Sequence, residues 1–291
     1  MTARRVQGAR RARRAPAAIA VLTAALAVSG CGVASGTAES VAVKDSLVIG
    51  VKDNEPGLSS RGAGGAYEGF DIDIARRVAE RLGVDAGNIT FKKVASEERE
   101  RFLSTGEVDL VVASYSITQE RKTRVTFAGP YYVAHQDTLV RKADAAAIKD
   151  VRDLAGKRLC KVDRSVSYTR VRDERGVAVL PRPGDDYADC VRQLSSGQVD
   201  AVSTDDLILT GLAARAVESG GGPALRMVNA PISDEPYGIG LRKDDTDGCE
   251  AVNKAITEMY QDGTAPGLLR KWFGPAGLKV TTTVPQFEGC D

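Results

Sequence analysis

The chain has 291 residues, of which 43% are hydrophobic and 27% are charged. This composition excludes a disordered polymer and leaves room for two lobes with cores of their own. The formal net charge is +1, but residues 1–30 contain six arginines and neither lysine nor acid, so the rest of the chain carries −5 once those six are subtracted. A mildly acidic chain gives no electrostatic reason to bind nucleic acid.

The first 30 residues have the pattern of an export signal. An arginine-rich start precedes an apolar run over residues 17–28, which is too short to span a bilayer. Small residues then lead to Cys31, and this ending resembles the bacterial lipobox, in which the signal is cut before a cysteine that carries a lipid. The alternative is an ordinary signal, with Cys31 incidental. We predict a lipoprotein signal over residues 1–30, a flexible tether over residues 31–45 and a place on the outer face of the cell membrane.

Four further cysteines remain, an even number in an exported protein, and they predict two disulfides. Three pairings are possible. The local ones join Cys160 to Cys190 and Cys249 to Cys290, and the second would fix the C-terminal tail. The sequence lacks a CxxC motif and a zinc-ligand set, so neither thiol chemistry nor a metal site is expected.

The first predicted elements are a strand over residues 46–51, followed by a polar turn, and a helix that starts at Asp71 and ends at Gly83. Ser96 is the predicted N-cap of a short helix, in which Arg99 shares a face with apolar residues and is assigned to packing. Residues 136–141 and 235–241 are predicted to be extended segments that cross between two lobes.

Residues 108–122 contain the first candidate binding residues. An apolar strand opens there into serines and a helix start, at the edge of an α/β sheet where ligands usually bind. Arg121 stands in the first helical turn, where a cation is unfavourable for the helix dipole unless it serves another group. That group is either a ligand carboxylate or a neighbouring acid such as Glu120.

A near repeat indicates a second lobe. Residues 103–109 read LSTGEVD and residues 194–200 read LSSGQVD, each as a helix end, a glycine and the start of an apolar strand. The second copy opens into Ser203-Thr-Asp-Asp206. Chance similarity is the alternative, but two α/β lobes with polar strand ends explain both copies.

Several stretches resemble the family 3 extracellular solute-binding proteins of ABC amino-acid importers, and two of them resemble its glutamate-binding lipoprotein branch. The resemblance runs in order over about residues 46–275. The family stretches are residues 69–75 (GFDIDIA), 106–113 (GEVDLVVA), 117–122 (ITQERK), 127–132 (FAGPYY) and 272–274 (WFG), and the branch stretches are 199–206 (VDAVSTDD) and 235–240 (EPYGIG).

The resemblance implies a type II periplasmic-binding-protein fold, in which two α/β lobes are joined by two crossover strands and the ligand lies in the cleft. Residues 46–130 and 238–291 would form lobe 1, residues 136–232 lobe 2, and residues 131–135 and 233–237 the hinge crossovers. Such a receptor closes on its ligand and docks on permease subunits of the transporter.

The same resemblance implies roles for individual residues. Arg121 matches the arginine that grips the ligand α-carboxylate, and Asp205 the acid that receives the α-ammonium. Lys52 occupies a place from which a basic group could reach a side-chain carboxylate, while either Asp53 or Asn54 could match a further ligand position. The remaining implied binding residues are Ser114, Tyr115, Ser116, Ser165 and Thr204.

We therefore expect a lipid-anchored, extracellular binding subunit that captures an acidic amino acid, foremost L-glutamate, with glutamine, aspartate or another polar amino acid as alternatives. No cofactor is expected. A dehydratase-like enzyme on the same fold is a further alternative, but His135 is the only histidine and has no apparent nucleophile or metal set around it. A sensor domain is a third interpretation.

Overall fold

The computed structural model describes residues 39–62, 64–218, 220, 222–275, 277 and 283–290. The predicted signal and Cys31 lie outside the described residues. Among the residues that the structure describes, none of the helices combines the length and apolar character needed to cross a membrane.

Helices and strands alternate along most of the chain. The strands are β1 (Leu47–Val51), β2 (Asn54–Glu55), β3 (Ser59–Arg61), β4 (Tyr67–Glu68), β5 (Ile89–Lys93), β6 (Leu110–Val111), β7 (Val125–Arg141), β8 (Arg158–Val162), β9 (Leu180–Gly184), β10 (Val202–Asp205), β11 (Leu225–Met227) and β12 (Ser233–Arg242). The α-helices are α1 (Phe70–Arg81), α2 (Arg99–Thr105), α3 (Gln119–Lys122), α4 (Ser167–Thr169), α5 (Tyr187–Ser195), α6 (Asp206–Glu218), α7 (Thr246–Gln261) and α8 (Thr264–Phe273).

The main sheet has the strand order β10-β7-β12-β6-β1-β5, with β11 also paired to β7. On one side, which we call lobe 1, β1 runs parallel to β5 and β6. On the other side, which we call lobe 2, β10 and β11 pair antiparallel with β7, and β8 pairs with β9 in a separate small sheet. This arrangement confirms the prediction of two α/β lobes.

The long strands β7 and β12 connect the lobes. They pair antiparallel from Val125 opposite Arg242 to Gln136 opposite Ser233, with a register shift next to Gly238. The predicted extended segments are therefore confirmed, and the first begins eleven residues earlier than predicted, because β7 continues through Gly129-Pro130.

The two LSxGxVD segments have the same structure. In each copy a helix ends at a glycine in the left-handed region, Gly106 with φ 71° and Gly197 with φ 76°. The carboxylate of Asp109 then accepts a hydrogen bond from the backbone N–H of Val48 at 2.7 Å, and that of Asp200 accepts one from Arg158 at 2.8 Å. The repeat is therefore structural, and each copy fixes the start of a neighbouring strand.

Both local disulfides, Cys160 with Cys190 and Cys249 with Cys290, are present. The prediction of two disulfides is confirmed, and the structure selects the local pairing among the three possible ones. The first joins β8 to α5, and the second joins α7 to the C-terminal tail.

The end of the predicted tether is not flexible. Val41 is buried, and its N–H donates to Asp245 at 3.1 Å. Lys44 forms an ion pair with Asp109 at 2.6 Å. The tether prediction is therefore wrong from Ser40 onward, because Val41 packs into the core there and Ser40 caps a short helical turn.

The repeated aspartate generates a stability prediction. Hydrogen bonds from Arg158 lower the pKa of Asp200 to about 2, below its value in an unfolded chain of about 3.9. We expect Asp200→Asn to reduce the free energy of unfolding at pH 7 by about 1–3 kcal/mol, because the amide keeps one acceptor oxygen for several donors. The carboxylate stabilises the protein fully above about pH 4 and loses this effect as the pH falls toward 2, so the difference from wild type should shrink on acidification.

Urea denaturation at pH 7 and pH 3 measures this difference. Asp163→Asn is the matched control, since the Asp163 side chain is 81% exposed, and it should change stability by less than about 0.5 kcal/mol. A difference between the Asp200 variant and wild type that stays constant with pH would contradict the assignment.

Candidate functional site

A small polar cavity of about 20 Å³ lies between the lobes, near the carboxyl ends of β1 and β10. In this arrangement of the lobes it has room for about one water molecule. Both lobes contribute to its wall. The lining residues are Glu55, Ser96, Arg99, Ser114, Ser116, Arg121, Ser165, Val166, Ser167, Tyr187, Thr204, Asp205 and Ile208.

Residues 114–118 form one wall and are fixed by backbone contacts. Ser114 has φ 44°, and its N–H donates to the buried Asp71 at 2.8 Å. Ile117 donates to the carbonyl of Pro236 at 2.8 Å, which attaches the segment to β12. The Thr118 hydroxyl then accepts from the Arg121 N–H at 3.2 Å and caps α3. This cap places Arg121 at the cavity wall.

The Arg121 guanidinium turns inward. It donates to the carbonyl of Ser116 at 2.7 Å and, across the cleft, to the carbonyl of Arg164 at 2.9 Å. Glu120 pairs with Arg124 at 3.3 Å, whereas Arg121 forms an ion pair with Glu100 at 3.8 Å, so the acid beside Arg121 is Glu100 and not Glu120. Burial, and then the charge of Arg99, lower the pKa of Arg121 to about 10, which leaves it protonated at neutral pH.

Tyr115 is not in the cavity wall, contrary to the prediction. Its ring is fully buried, with the guanidinium carbons of Arg99 and Arg121 at 4.2 and 4.9 Å from the ring centroid. Its hydroxyl donates to Glu100 at 2.8 Å. Tyr115 therefore supports the two cations from below, through cation–π contacts.

Lobe 2 supplies hydroxyl groups. Ser165 and Tyr187 share a hydrogen bond of 2.7 Å, and Ser167 donates to Thr204 at 3.2 Å. Gln136 of β7 donates to the carbonyl of Ser167 at 2.9 Å and fixes this wall against the crossover strand. The structure thus brings the predicted Ser165 and Thr204 together with Ser167 and Tyr187, which the sequence did not identify.

Asp205 is the acidic group of lobe 2 in the cavity. It is 4% exposed, and its Oδ2 accepts a hydrogen bond from the Tyr237 hydroxyl at 2.6 Å. Its Oδ1 is buried without a hydrogen-bond partner among the described residues. Burial, and then the nearby Glu235, raise the pKa of Asp205 well above its ordinary value. A cationic donor from a ligand would satisfy Oδ1 and favour the ionised form.

Two charged residues in the wall were not predicted to bind, Glu55 and Arg99. Glu55 accepts a hydrogen bond from the Ser114 hydroxyl at 2.9 Å, and burial raises its pKa. Arg99 is 2% exposed and donates to the carbonyls of Ser96 and Ala113. The signal in the sequence was a cation on the apolar face of a short helix.

Lys52 lies behind the wall. Its ammonium donates to the Ser96 hydroxyl at 2.8 Å. The prediction of Ser96 as the N-cap of α2 is wrong, because α2 begins at Arg99 and its N-cap is Glu98. Burial, and then Arg99, lower the pKa of Lys52 to about 8. Lys52 is therefore connected to the cavity wall through Ser96.

The three residues whose roles were open lie outside the wall. Asp53 pairs with Lys93 at 3.1 Å, and the Asn54 amide donates across the cleft to Asp186 at 2.5 Å. His135 contacts Asp234 at 2.8 Å, on the paired crossover strands. Asn54 is therefore a contact between the lobes.

The cavity combines separated charges of both signs. Arg121 and Arg99 come from lobe 1, and Asp205 comes from lobe 2. These charges complement those of a small zwitterion, whose carboxylate would meet guanidinium donors and whose ammonium would meet a carboxylate.

This chain is similar in sequence and in fold to known proteins. Residues 47–275 match the family model of the bacterial extracellular solute-binding proteins, family 3. The glutamate-binding protein GluB of Corynebacterium glutamicum is 35% identical over 277 residues, covering 91% of this chain and 92% of that protein. The ABC transporter glutamine-binding protein GlnH of Bacillus subtilis is 32% identical over 270 residues, covering 88% and 95%.

Among solved structures, an ancestral arginine-binding protein bound to arginine superimposes with a TM-score of 0.71 at 33% identity. The match covers 79% of this chain and 99% of that one. It confirms the predicted type II periplasmic-binding fold, and the relatives are named as binding proteins, not as enzymes. The chain belongs to the bacterial extracellular solute-binding proteins of family 3.

Proposed function

We propose that this protein is the lipid-anchored binding subunit of an ABC importer and that it captures an acidic amino acid, L-glutamate, by closure of the two lobes. One observation carries the proposal. Arg121 from lobe 1 and the partly unpartnered Asp205 from lobe 2 line the same cavity. An α-amino acid carries the two complementary charges on one carbon, so one ligand would bridge both lobes.

The α-carboxylate would lie against Arg121 and the serines beside it. Charge-assisted hydrogen bonds from a guanidinium are stronger than neutral ones, and they gain further where water is excluded. The α-ammonium would donate to Asp205 Oδ1. Burial lowers the pKa of Arg121 and raises that of Asp205, because it disfavours the charged form of each group. Each contact with the ligand would offset this cost.

The side-chain end of the cavity favours an anion. Arg99 lines it, and Lys52 stands directly behind Ser96. Glu55 also lines the cavity, but burial raises its pKa and so favours its neutral form. The relatives named for glutamate support this assignment.

Glutamine is the second candidate. Glu55 can accept a hydrogen bond from a side-chain amide, and GlnH is named for glutamine. The ancestral arginine-binding protein has also been solved with glutamine bound.

The anchor and the transporter partner extend this proposal. The lipobox-like ending at Cys31 supports attachment through a lipid on that cysteine. GlnH is named as part of an ABC transporter, which supports permease subunits as the partner.

A panel of amino acids tests the ligand. In isothermal titration calorimetry at pH 7 we expect glutamate to bind most tightly, glutamine and aspartate more weakly, and arginine weakest, because its side chain would face Arg99 and Lys52. Tight binding of arginine, with no heat from glutamate, would show that the side-chain assignment is wrong.

Arg121→Ala tests the carboxylate contact. We expect a loss of about 2–5 kcal/mol of binding free energy, because the α-carboxylate would lose a buried charge-assisted partner. Arg124→Ala, at an exposed position just after α3, is the control and should leave the dissociation constant unchanged. Similar affinities for both variants would refute the role of Arg121.

The preference for glutamate should depend on pH. The Lys52 pKa is about 8, so its charge is lost as the pH rises from 7 to 9. We expect the affinity ratio of glutamate to glutamine to fall by up to about tenfold over this range, since only glutamate needs the ammonium charge. Glutamine controls for titration of the ligand amino group, and Lys52→Met should make the ratio independent of pH. A wild-type ratio that stays flat would exclude Lys52 from recognition.

A further inference from the structure

The lobes approach each other closely beside the cavity, where helix α6 of lobe 2 meets the turn after β2 of lobe 1. Gly211 lies in α6, one turn after Ile208, which lines the cavity. Pro56 follows Glu55, which lines the opposite wall. A Cβ atom built on Gly211 would lie 1.8 Å from the Pro56 carbonyl oxygen and 2.8 Å from its carbonyl carbon.

Glycine is costly in the middle of a helix because it loses more backbone entropy on folding than alanine does. Gly211 has no positive φ that would require glycine. The absence of a side chain at this position is therefore explained by the approach of Pro56 and not by the helix itself.

The turn containing Pro56 is held in place on its own lobe. The carbonyls of Gly57 and Leu58 accept hydrogen bonds from the N–H groups of Phe70 and Asp71, at 2.8 and 2.9 Å, at the start of α1. Leu58 is fully buried. The carbonyl of Pro56 therefore has little freedom to retreat from a larger residue.

Helix α6 is equally well anchored on lobe 2. Leu207, Leu209 and Leu212 are buried in the core, and the neighbouring strand β10 pairs with β7. A Cβ atom on Gly211 would need to be at least 3.0 Å, and not 1.8 Å, from the Pro56 carbonyl oxygen. Neither the Pro56 turn nor helix α6 can move by this difference on its own. Separation of the lobes would relieve the contact.

We propose that Gly211 is a closure-determining residue: its missing side chain lets the Pro56 turn dock on α6, and this contact sets how far the lobes close around the ligand. The inference rests on the proposed function in that binding involves lobe closure, but it does not depend on which amino acid binds. Asn54 supports the same docking, through its hydrogen bond to Asp186 at the N-terminus of α5.

The proposal predicts that affinity and stability change in opposite directions. Gly211→Ala should favour the helix of the ligand-free protein, so its thermal midpoint should equal or exceed that of wild type. The same change should hold the lobes apart and reduce the population of the closed state, which weakens binding in proportion. We expect at least a tenfold increase in the dissociation constant, and a further increase in Gly211→Ser.

Gly267→Ala is the matched control. Gly267 also lies inside a helix, α8, and a Cβ built there meets nothing within 4 Å. This variant should have the same or a higher thermal midpoint and an unchanged dissociation constant.

The experiment titrates the full-length mature chain with L-glutamate, L-glutamine and L-arginine, and records small-angle X-ray scattering with and without each. The expected result is weaker binding of every amino acid that wild type binds, together with a smaller decrease in radius of gyration on binding. Should wild type bind arginine and not glutamate, the proposed ligand would fail while the effect of Gly211→Ala is still expected on arginine.

Two results would overturn the proposal. The first is a Gly211→Ala variant with wild-type affinities and normal compaction. The second is a lower thermal midpoint in the ligand-free variant, which would mean that Gly211 is required for folding of lobe 2 and not for closure.

Discussion

Backbone hydrogen bonds between β7 and β12 connect the two halves of the cavity. The outer edge of β12 binds the segment of lobe 1 that carries the serines, through Ile117 to Pro236 and through Gly238 to Tyr115. The outer edge of β7 binds β10, with Asp205 opposite Gln136. The two walls are thus attached to opposite edges of one two-stranded ribbon. Bending or twisting of this ribbon would change the distance between them.

The cavity places several charges out of water, and their supports explain how the fold tolerates them. An isolated buried charge is costly unless it is paired or hydrogen-bonded. Arg121 is balanced by Glu100, two carbonyls and the Tyr115 ring, and Arg99 by two carbonyls and the same ring. Asp205 receives one hydroxyl and keeps one oxygen unpartnered. The cations of the site are therefore supported by the protein itself, while one buried carboxylate oxygen is left without a donor among the described residues.

Much of the fold followed from local patterns in the sequence. Apolar spacing identified α1, and β-rich composition identified β1. The repeated LSxGxVD segment identified both lobes, and the aspartate in each copy accepts a hydrogen bond from the backbone of a strand that is distant in sequence. Strand β7 was recognised only in its second half, since Gly129-Pro130 interrupts the pattern. The structure accommodates this dipeptide with a register shift in β12, a long-range arrangement that local sequence does not encode.

The site was predictable to the extent that it lies at strand ends. Ser114, Ser116 and Arg121 follow β6, Thr204 and Asp205 form the end of β10, and all five line the cavity. Tyr115 was misplaced, although successive side chains of an extended segment point to opposite faces and so separate it from the two serines. Glu55 and Arg99 belong to a two-residue strand and a short helix, and packing against the rest of lobe 1 brings them to the cavity.

The turn after β1 connects ligand recognition to closure. Glu55 faces the cavity, while its neighbours Asn54 and Pro56 contact α5 and α6 of the other lobe. A movement that withdraws Pro56 from Gly211 would also move Glu55, because the two residues are adjacent and the turn after them is fixed to α1. In the proposed closure, contacts between the lobes and contacts to the ligand would therefore form together. The measured affinity would contain both free energies, and residues that never touch the ligand can change it as much as those that do.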